Sequence, residues 1–314
     1  MDILAETDLA FLGRKTTGKV RDIYDRGERL VLVTTDRHSS FDRIIAHIPW
    51  KGQVLNQISA WWFERTRDIV ANHVLAVPDP NVTVARKCTP LLIEAVVRGY
   101  LTGVTDTAAW TRYAAGQRDF GGVRLPEGMR KNQKLPQPLF DPTTKEASHD
   151  RTLTPEQLVA EGFATRIMFD LVKATALALF ARGQEIAARN GLILVDTKYE
   201  FGTDQGGKLV LIDEIHTPDS SRYWQLDTYA ARFAAGEEPQ YFDKEFLRLW
   251  FRDHCDPYRD ATLPAAPPEL VDELSRRYIR MFEQITGTGF QNGETPILPR
   301  IEKNLRHYLM SASR

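Results

Sequence analysis

Asp196, Lys198 and Glu200 alternate along one apolar run, and Asp213 closes a second apolar run that begins at Leu209. At the period of two that a strand imposes, Asp196, Lys198 and Glu200 share one face. Between the runs stands Gly206-Gly207, a dipeptide suited to a two-residue hairpin turn with positive φ at both positions. That turn pairs Gln205 with Lys208, Thr203 with Val210 and Phe201 with Ile212, and it sets Glu200 directly opposite Asp213. Opposed Cβ atoms lie about 5 Å apart, where two carboxylates repel unless a cation separates them. Mg²⁺ takes a few carboxylates and completes its shell with water and phosphate oxygens, so such a pair suits a nucleotide-bound Mg²⁺. The competing reading is a solvated hairpin, which the apolar composition of both runs disfavours.

Gly13-Arg14-Lys15-Thr16-Thr17-Gly18-Lys19 follows the phosphate-cradling pattern G-x-x-x-x-G-K-[ST] until Val20 replaces the required hydroxyl. The next residues, VRDIYD, read as strand rather than helix, so this is not a P-loop. A Gly-Lys pair opening a β-hairpin can still fold over a triphosphate, with backbone N–H groups and Lys19 as donors. Asp36 to Asp42 gather donors and acceptors at the end of the apolar strand LVLVT, Arg98 stands beside Gly99, and Arg222 follows Ser220-Ser221. Arginine with serine or backbone N–H is a common grip on a phosphate monoester. The seven histidines show no metal-binding spacing, and G-x-S-x-G and H-R-D are lacking, which disfavours a serine hydrolase or an ordinary protein kinase.

The elements that position these residues are an N-terminal hairpin over 18–35 turning at Arg26-Gly27-Glu28, a helix over 54–70 and a strand over 91–97. A long loop is expected from Gly116 to Asp150. Thr154-Pro155-Glu156-Gln157 marks a helix start, with an interruption at Gly162 and a stop at Gly191. Strands over 192–200 and 209–213, a polar loop TPDSSRYW, and helices near 244–252 and 268–285 complete the reading. Early strands, a late strand pair and intervening helices favour a two-lobed α+β enzyme over a doubly wound sheet. At 314 residues with 42% hydrophobic side chains the chain can bury a sizeable core. A formal net charge of -1 without a basic run excludes nucleic acid and anionic membranes as expected partners. Two distant cysteines, Cys88 and Cys255, together with an N-terminal segment unlike a signal peptide, point to the cytoplasm.

Read in order, Gly18-Lys19-Val20-Arg21-Asp22, Thr35-Asp36-Arg37, Glu94 to Tyr100, Leu139 to Lys145, Val195 to Gly202 and Asp213 to Arg222 closely resemble the SAICAR synthetase family. The resemblance implies an ATP-dependent ligase that joins the carboxylate of carboxyaminoimidazole ribotide (CAIR) to the amine of L-aspartate. It implies a kinase-like β-rich lobe over 1–93 and an ATP-grasp-like lobe over 94–314 with a helical segment over 216–289. It places Gly18, Lys19 and Val20 over the phosphates of ATP, Leu92, Glu94 and Val96 along the adenine, and Lys87 near the phosphates. Glu200 and Asp213 become the Mg²⁺ ligands. Arg98, Ser221 and Arg222 would hold the ribotide phosphate, Asp36, Ser39 and Asp42 would serve the carboxylate and aspartate end, and His149 and Asp150 would close the cleft. Lys19 and Lys198 would supply charge to the reaction, and Asp196 would assist the aspartate amine. Relatives often carry a serine after the R-G-Y-x-T-G glycine, where this chain has Val104; Thr105 or Thr107 are the available substitutes. A small-molecule kinase of related fold is the rival, and a monomer or small homo-oligomer is expected.

Overall fold

Short β-branched runs separated by tight turns build the first layer. The computed structural model describes residues 2–312 except Asp42, Asp106, 146–150, Thr152 and 243–244. Strands β1 (Arg14–Thr17), β2 (Arg21–Asp25) and β3 (Arg29–Thr34) form a meander, β4 (Arg37–Ser40) and β5 (Arg43–His47) form a separate hairpin, and helix α1 (Lys51–Arg65) follows. Strands β6 (Val74–Asp79) and β7 (Val82–Arg86) complete an antiparallel sheet of order β1-β2-β3-β7-β6. The turn expected at Arg26-Gly27-Glu28 is present, with Gly27 at φ +81° and Arg26 N–H donating to Arg29 O at 2.9 Å. The glycine-spaced basic segment before Gly18 is itself strand β1, paired with β2.

Strand β8 (Thr89–Leu101) opens the second sheet, so the lobe boundary expected at 93/94 falls inside a strand. After helix α2 (Ala109–Ala114) come β9 (Asp119–Phe120), β10 (Val123–Arg124), β11 (Gln133–Phe140) and β12 (Thr143–Thr144), where one long loop was expected. The sequence hides β11 because Pro136 and Pro138 interrupt it; both are tolerated at a sheet edge, where β11 lies. Helix α3 (Pro155–Ala160) starts with the expected capping box: Gln157 N–H donates to Thr154 Oγ1 at 3.2 Å and Thr154 N–H to Gln157 Oε1 at 2.9 Å. Gly162 at φ +81° ends that turn, and α4 (Arg166–Arg189) runs on to Gly191 at φ +71°. Strands β13 (Leu192–Thr203), β14 (Leu209–Ile212) and β15 (Ser221–Gln225) complete the sheet in the order β11-β8-β13-β14, with β12 on β8 and β15 on β13. Helices α5 (Leu226–Ala235), α6 (Glu245–His254), α7 (Pro268–Thr286) and α8 (Ile297–Ala312) end the chain's described course.

One face of the second sheet is apolar. Ile93, Ala95, Val97, Tyr199 and Phe201 pack in one cluster with Phe169, Val172, Leu179 and Phe180 of α4 and with α1 and α7. Each buried Val, Ile, Leu or Phe among them contributes about 1.5–3 kcal/mol. The other face carries the polar residues of the site. Helix α8 returns to the first sheet, where Ile297, Ile301 and Leu305 cover Leu4, Val31, Val33, Val82 and Val84. Arg300 fixes it there: Nε and Nη2 donate to the two oxygens of buried Asp79 at 3.0 and 3.1 Å, and Nη2 to Asn81 Oδ1 at 2.6 Å. Among the described residues, no helix is long and apolar enough to cross a membrane.

Candidate active site

The β13–β14 hairpin forms with a register one residue away from the expected one. Asp204, rather than the glycine pair alone, selects the turn. Its Oδ1 accepts the N–H groups of Gly206 and Lys208, both at 2.9 Å, while Asp204 N–H donates to Lys208 O at 3.0 Å and Gly207 adopts φ +75°. The result is a three-residue loop with a left-handed glycine at its end. Glu200 therefore faces Ile212, not Asp213, and Thr203 faces Leu209. Asp213 follows the strand at φ +65° and turns toward the first sheet. Glu200 and Asp213 instead meet different cations, Asp213 pairing with Arg21 and Glu200 with Lys198. Lys198 Nζ lies 2.6 Å from Glu94 Oε1 and 3.4 Å from Glu200 Oε1. Burial pulls the Lys198 ammonium's pKa down, but the charges of Glu200, Glu94 and Asp213 outweigh burial and leave it raised. Lys145 also pairs with Glu200.

Opposed strand partners share a face, and this explains why the remaining residues meet. Glu94 pairs with Glu200, Val96 with Lys198 and Arg98 with Asp196 across β8 and β13, while Arg222 of β15 also pairs with Asp196. Leu92, Glu94, Val96 and Arg98 thus line the same face as Asp196, Lys198 and Glu200. The row from Asp196 to Glu200 spans about 13 Å at a strand's rise. One end is rich in carboxylates around Lys198. The other carries arginines: Arg98 Nε donates to Asp141 Oδ2 at 2.7 Å, Arg112 pairs with the same oxygen, and Arg222 Nη1 donates to Asp196 Oδ2 at 3.2 Å. Arg98 Nη1 lies 3.7 Å from that Asp196 oxygen. Asp196 therefore stands as counter-ion to two guanidiniums.

The first sheet supplies the opposite wall. Gly18-Lys19-Val20 forms the β1–β2 turn, with Lys19 exposed. Arg37, buried and paired with Asp22 at 2.8 Å, donates to Gly18 O at 3.0 Å and Lys19 O at 3.4 Å, so it holds the turn from beneath. Arg21 crosses to the second sheet and pairs with Asp213 at 2.9 Å and Glu214 at 2.7 Å. Burial pulls the Arg21 guanidinium's pKa down; the Asp213 and Glu214 charges outweigh it and leave it raised. Lys87 lies on the link between the sheets, paired with Asp25 at 2.6 Å.

Two expected ligands are placed elsewhere. Asp36 is 1% exposed and accepts Leu4 N–H on one oxygen and Gly52 N–H on the other, both at 2.9 Å, so it ties the N-terminal segment to α1 instead of facing substrate. Ser221 stands on the opposite face from Arg222, with its hydroxyl 2.7 Å from that of Thr197 in the interior. Ser39 is half-buried in β4. Asp42, His149 and Asp150 lie outside the described residues. Arg21, Arg37, Arg112 and Asp141 were not legible from the sequence as members of the site; Arg37 alone had a signal nearby in Asp22, the buried acid it pairs with. Replacing Asp36 by Asn sets an amide NH₂ against one of the two N–H donors. Asp36→Asn is expected to lower unfolding free energy by about 1–3 kcal/mol, read by chemical denaturation, with the KM of each substrate unchanged.

A family model described as SAICAR synthetase matches residues 14–264. The chain belongs to the SAICAR synthetase family. The phosphoribosylaminoimidazole-succinocarboxamide synthase of Legionella pneumophila (strain Lens) is 56% identical over 308 residues, covering 98% of both chains. The chloroplastic synthase of Arabidopsis thaliana is 53% identical, covering 98% of this chain and 76% of its own. A SAICAR synthase from Saccharomyces cerevisiae, solved with SAICAR, superposes with a TM-score of 0.78 at 29% identity, covering 92% of this chain and 100% of that one. A SAICAR synthetase solved with ADP shares the fold with a TM-score of 0.67 at 22% identity, covering 89% of this chain and 100% of that one. Like its SAICAR synthetase relatives, the chain is an enzyme, a carbon–nitrogen ligase of purine biosynthesis.

Proposed function

We propose that this chain uses ATP to join the CAIR carboxylate to the amine of L-aspartate, releasing SAICAR, ADP and phosphate. The observation that carries the reading is the polarity of one sheet face, with carboxylates around Lys198 at one end and arginines around Asp196 at the other. A ribotide laid along it sets its phosphate on Arg98 and Arg222 and its carboxylate toward Lys198 and the glycine turn. ATP then lies between the sheets, along Leu92, Glu94 and Val96 and under Gly18, Lys19 and Val20.

Glu200 and Asp213 fit a nucleotide-bound Mg²⁺. Both are partly accessible, at 14% and 33% of their side-chain surface, and both act on Lys198. A Mg²⁺ that completes its shell with phosphate oxygens and water needs no third protein carboxylate. When bound, that ion supplies positive charge to the phosphate oxygens. The γ-phosphoryl group passes to the CAIR carboxylate, the aspartate amine attacks the acyl phosphate, and phosphate leaves. Lys19 and Lys198 balance charge on the transferring group. Asp196 orients Arg98 and Arg222 in this scheme. Free Cys88 and Cys255 suit a reducing compartment, and we place the enzyme in the cytoplasm.

ADP release measured with CAIR, with and without L-aspartate, tests the reaction. Release that depends on aspartate and coincides with SAICAR formation is expected; release indifferent to aspartate overturns the ligase and favours a kinase. Arg222→Ala tests the grip. Loss of a charged hydrogen bond worth roughly 1.5–3 kcal/mol raises the CAIR KM about 10- to 150-fold while sparing that for ATP.

A further inference from the structure

Val104 is half exposed and lines a small cavity of about 60 Å³ together with Gly103, Arg222, Lys131, Glu238 and Trp224. The Arg222 guanidinium lies beside Gly103, where a Cβ would stand 3.5 Å from Nη1, in ordinary contact, and 2.6 Å from the Cβ of Ala108. Arg222 thus faces the cavity, to which the Val104 side chain offers no hydrogen-bonding group. Neither neighbouring threonine lines this cavity. Thr105 lines an adjoining one that Val104 shares with Phe41 and Tyr258, and the Thr107 carbonyl accepts Arg98 Nη2 at 3.3 Å.

A second cation enters from the facing wall. Lys131 Nζ lies 2.5 Å from Glu238 Oε1, and the other carboxylate oxygen accepts Asn132 Nδ2 at 2.9 Å. Asn132 is buried at φ +65°, accepts Thr102 Oγ1 at 2.6 Å and receives the Tyr229 hydroxyl on its carbonyl at 2.8 Å. The residue beside Lys131 is therefore fixed on three sides. Burial pushes the Glu238 carboxyl up, but the hydrogen bonds from Lys131 and Asn132 and the Lys131 and Arg222 charges outweigh it and hold the carboxyl below its ordinary range. One carboxylate thus stands between two cations that face the same cavity. Lys131 is partly accessible, so its ammonium can turn at little cost in desolvation.

We propose that Lys131 is the phosphate donor that Val104 cannot be: it turns from Glu238 onto an oxygen of the ribotide phosphate opposite Arg222, and Glu238 holds it in place before substrate enters. The proposal rests on the reading of Arg222 as part of the phosphate grip. It assigns a binding role to a residue of the β10–β11 connection, and it makes the Lys131 ammonium the group that helps select a phosphorylated over an unphosphorylated ribose.

Steady-state kinetics of Lys131→Met and Arg222→Ala with CAIR, and competitive inhibition by the 5′-dephosphorylated riboside, test it. In Lys131→Met the CAIR KM rises about tenfold, the value of one charge-assisted bond, kcat stays within about twofold, and riboside inhibition does not change. An unchanged CAIR KM in Lys131→Met beside a raised one in Arg222→Ala overturns the role of Lys131 and leaves the grip standing. Unchanged values in both overturn the grip. Glu238→Gln removes the resting ion pair but keeps the ammonium; a CAIR KM at or below that of the parent is expected, and a rise matching Lys131→Met makes the pair structural and overturns the proposal. Lys131→Arg retains the charge and recovers most of the affinity, which keeps the test valid where Lys131→Met folds poorly.

Discussion

Lys198→Met is expected to lower kcat about 10²- to 10³-fold at saturating CAIR, ATP and L-aspartate, the usual effect of losing one preorganised charge donor. The ammonium lies between Glu94 and Glu200, with Asp213 also acting on it. Its removal leaves those carboxylates facing the incoming phosphates without a fixed cation. Methionine keeps the length of the stem, and the apolar packing lies on the other face of the sheet, so the fold survives and a thermal melt confirms it. Initial-rate assays of SAICAR formation decide the matter. A variant within tenfold of the parent removes Lys198 from the reaction.

The largest effect on stability is expected from Arg300→Met. The guanidinium is 7% exposed and bonds Asp79, Asn81 and the carbonyl of Glu294. Removing one partner of a buried ion pair leaves the other uncompensated, a loss of about 3–5 kcal/mol. In a chain of this size that corresponds to a fall in Tm on the order of 10 °C. Asn304 retains one bond to Asp79 at 2.7 Å, which keeps the loss at the lower end. Differential scanning calorimetry reads the shift. A change under about 2 °C would show that the apolar contacts of α8 hold the helix without Arg300.

Local signals carried much of this fold. The Thr154 capping box, the Gly191 stop and the Gly27 turn each depend on a few adjacent residues, and each is present as read. What failed depended on partners far away in sequence. The register of the β13–β14 hairpin was read from Gly206-Gly207, but the Asp204 side chain captured two backbone N–H groups and lengthened the loop by one residue. Ser221 and Arg222 are neighbours in sequence and enemies in geometry, since a strand separates them onto opposite faces. Strand β15 was invisible for the same reason that it matters: its polar residues resemble a loop until β13 pairs with them. Asp36, with its motif neighbours, looked chemical because it is a polar residue at a strand end, and only the backbone amides of Leu4 and Gly52 reveal its structural use.

The placement of α8 also bears on how the molecule is made. During synthesis the strands of the first sheet emerge early, but the helix that covers Val31, Val33, Val82 and Val84 is translated after the entire second sheet. Domains ordinarily acquire structure from the N-terminal end as they leave the ribosome. Until α8 is made, that apolar face of the first sheet lacks its cover, and the contacts that close it, Arg300 to Asp79 and Ile297 N–H to Asp2 at 2.6 Å, each span more than 200 residues of sequence. Docking of α8 onto the first sheet is therefore a strongly non-local contact, of the kind that slows folding, and Val31, Val33, Val82 and Val84 remain uncovered in the nascent chain until that helix arrives.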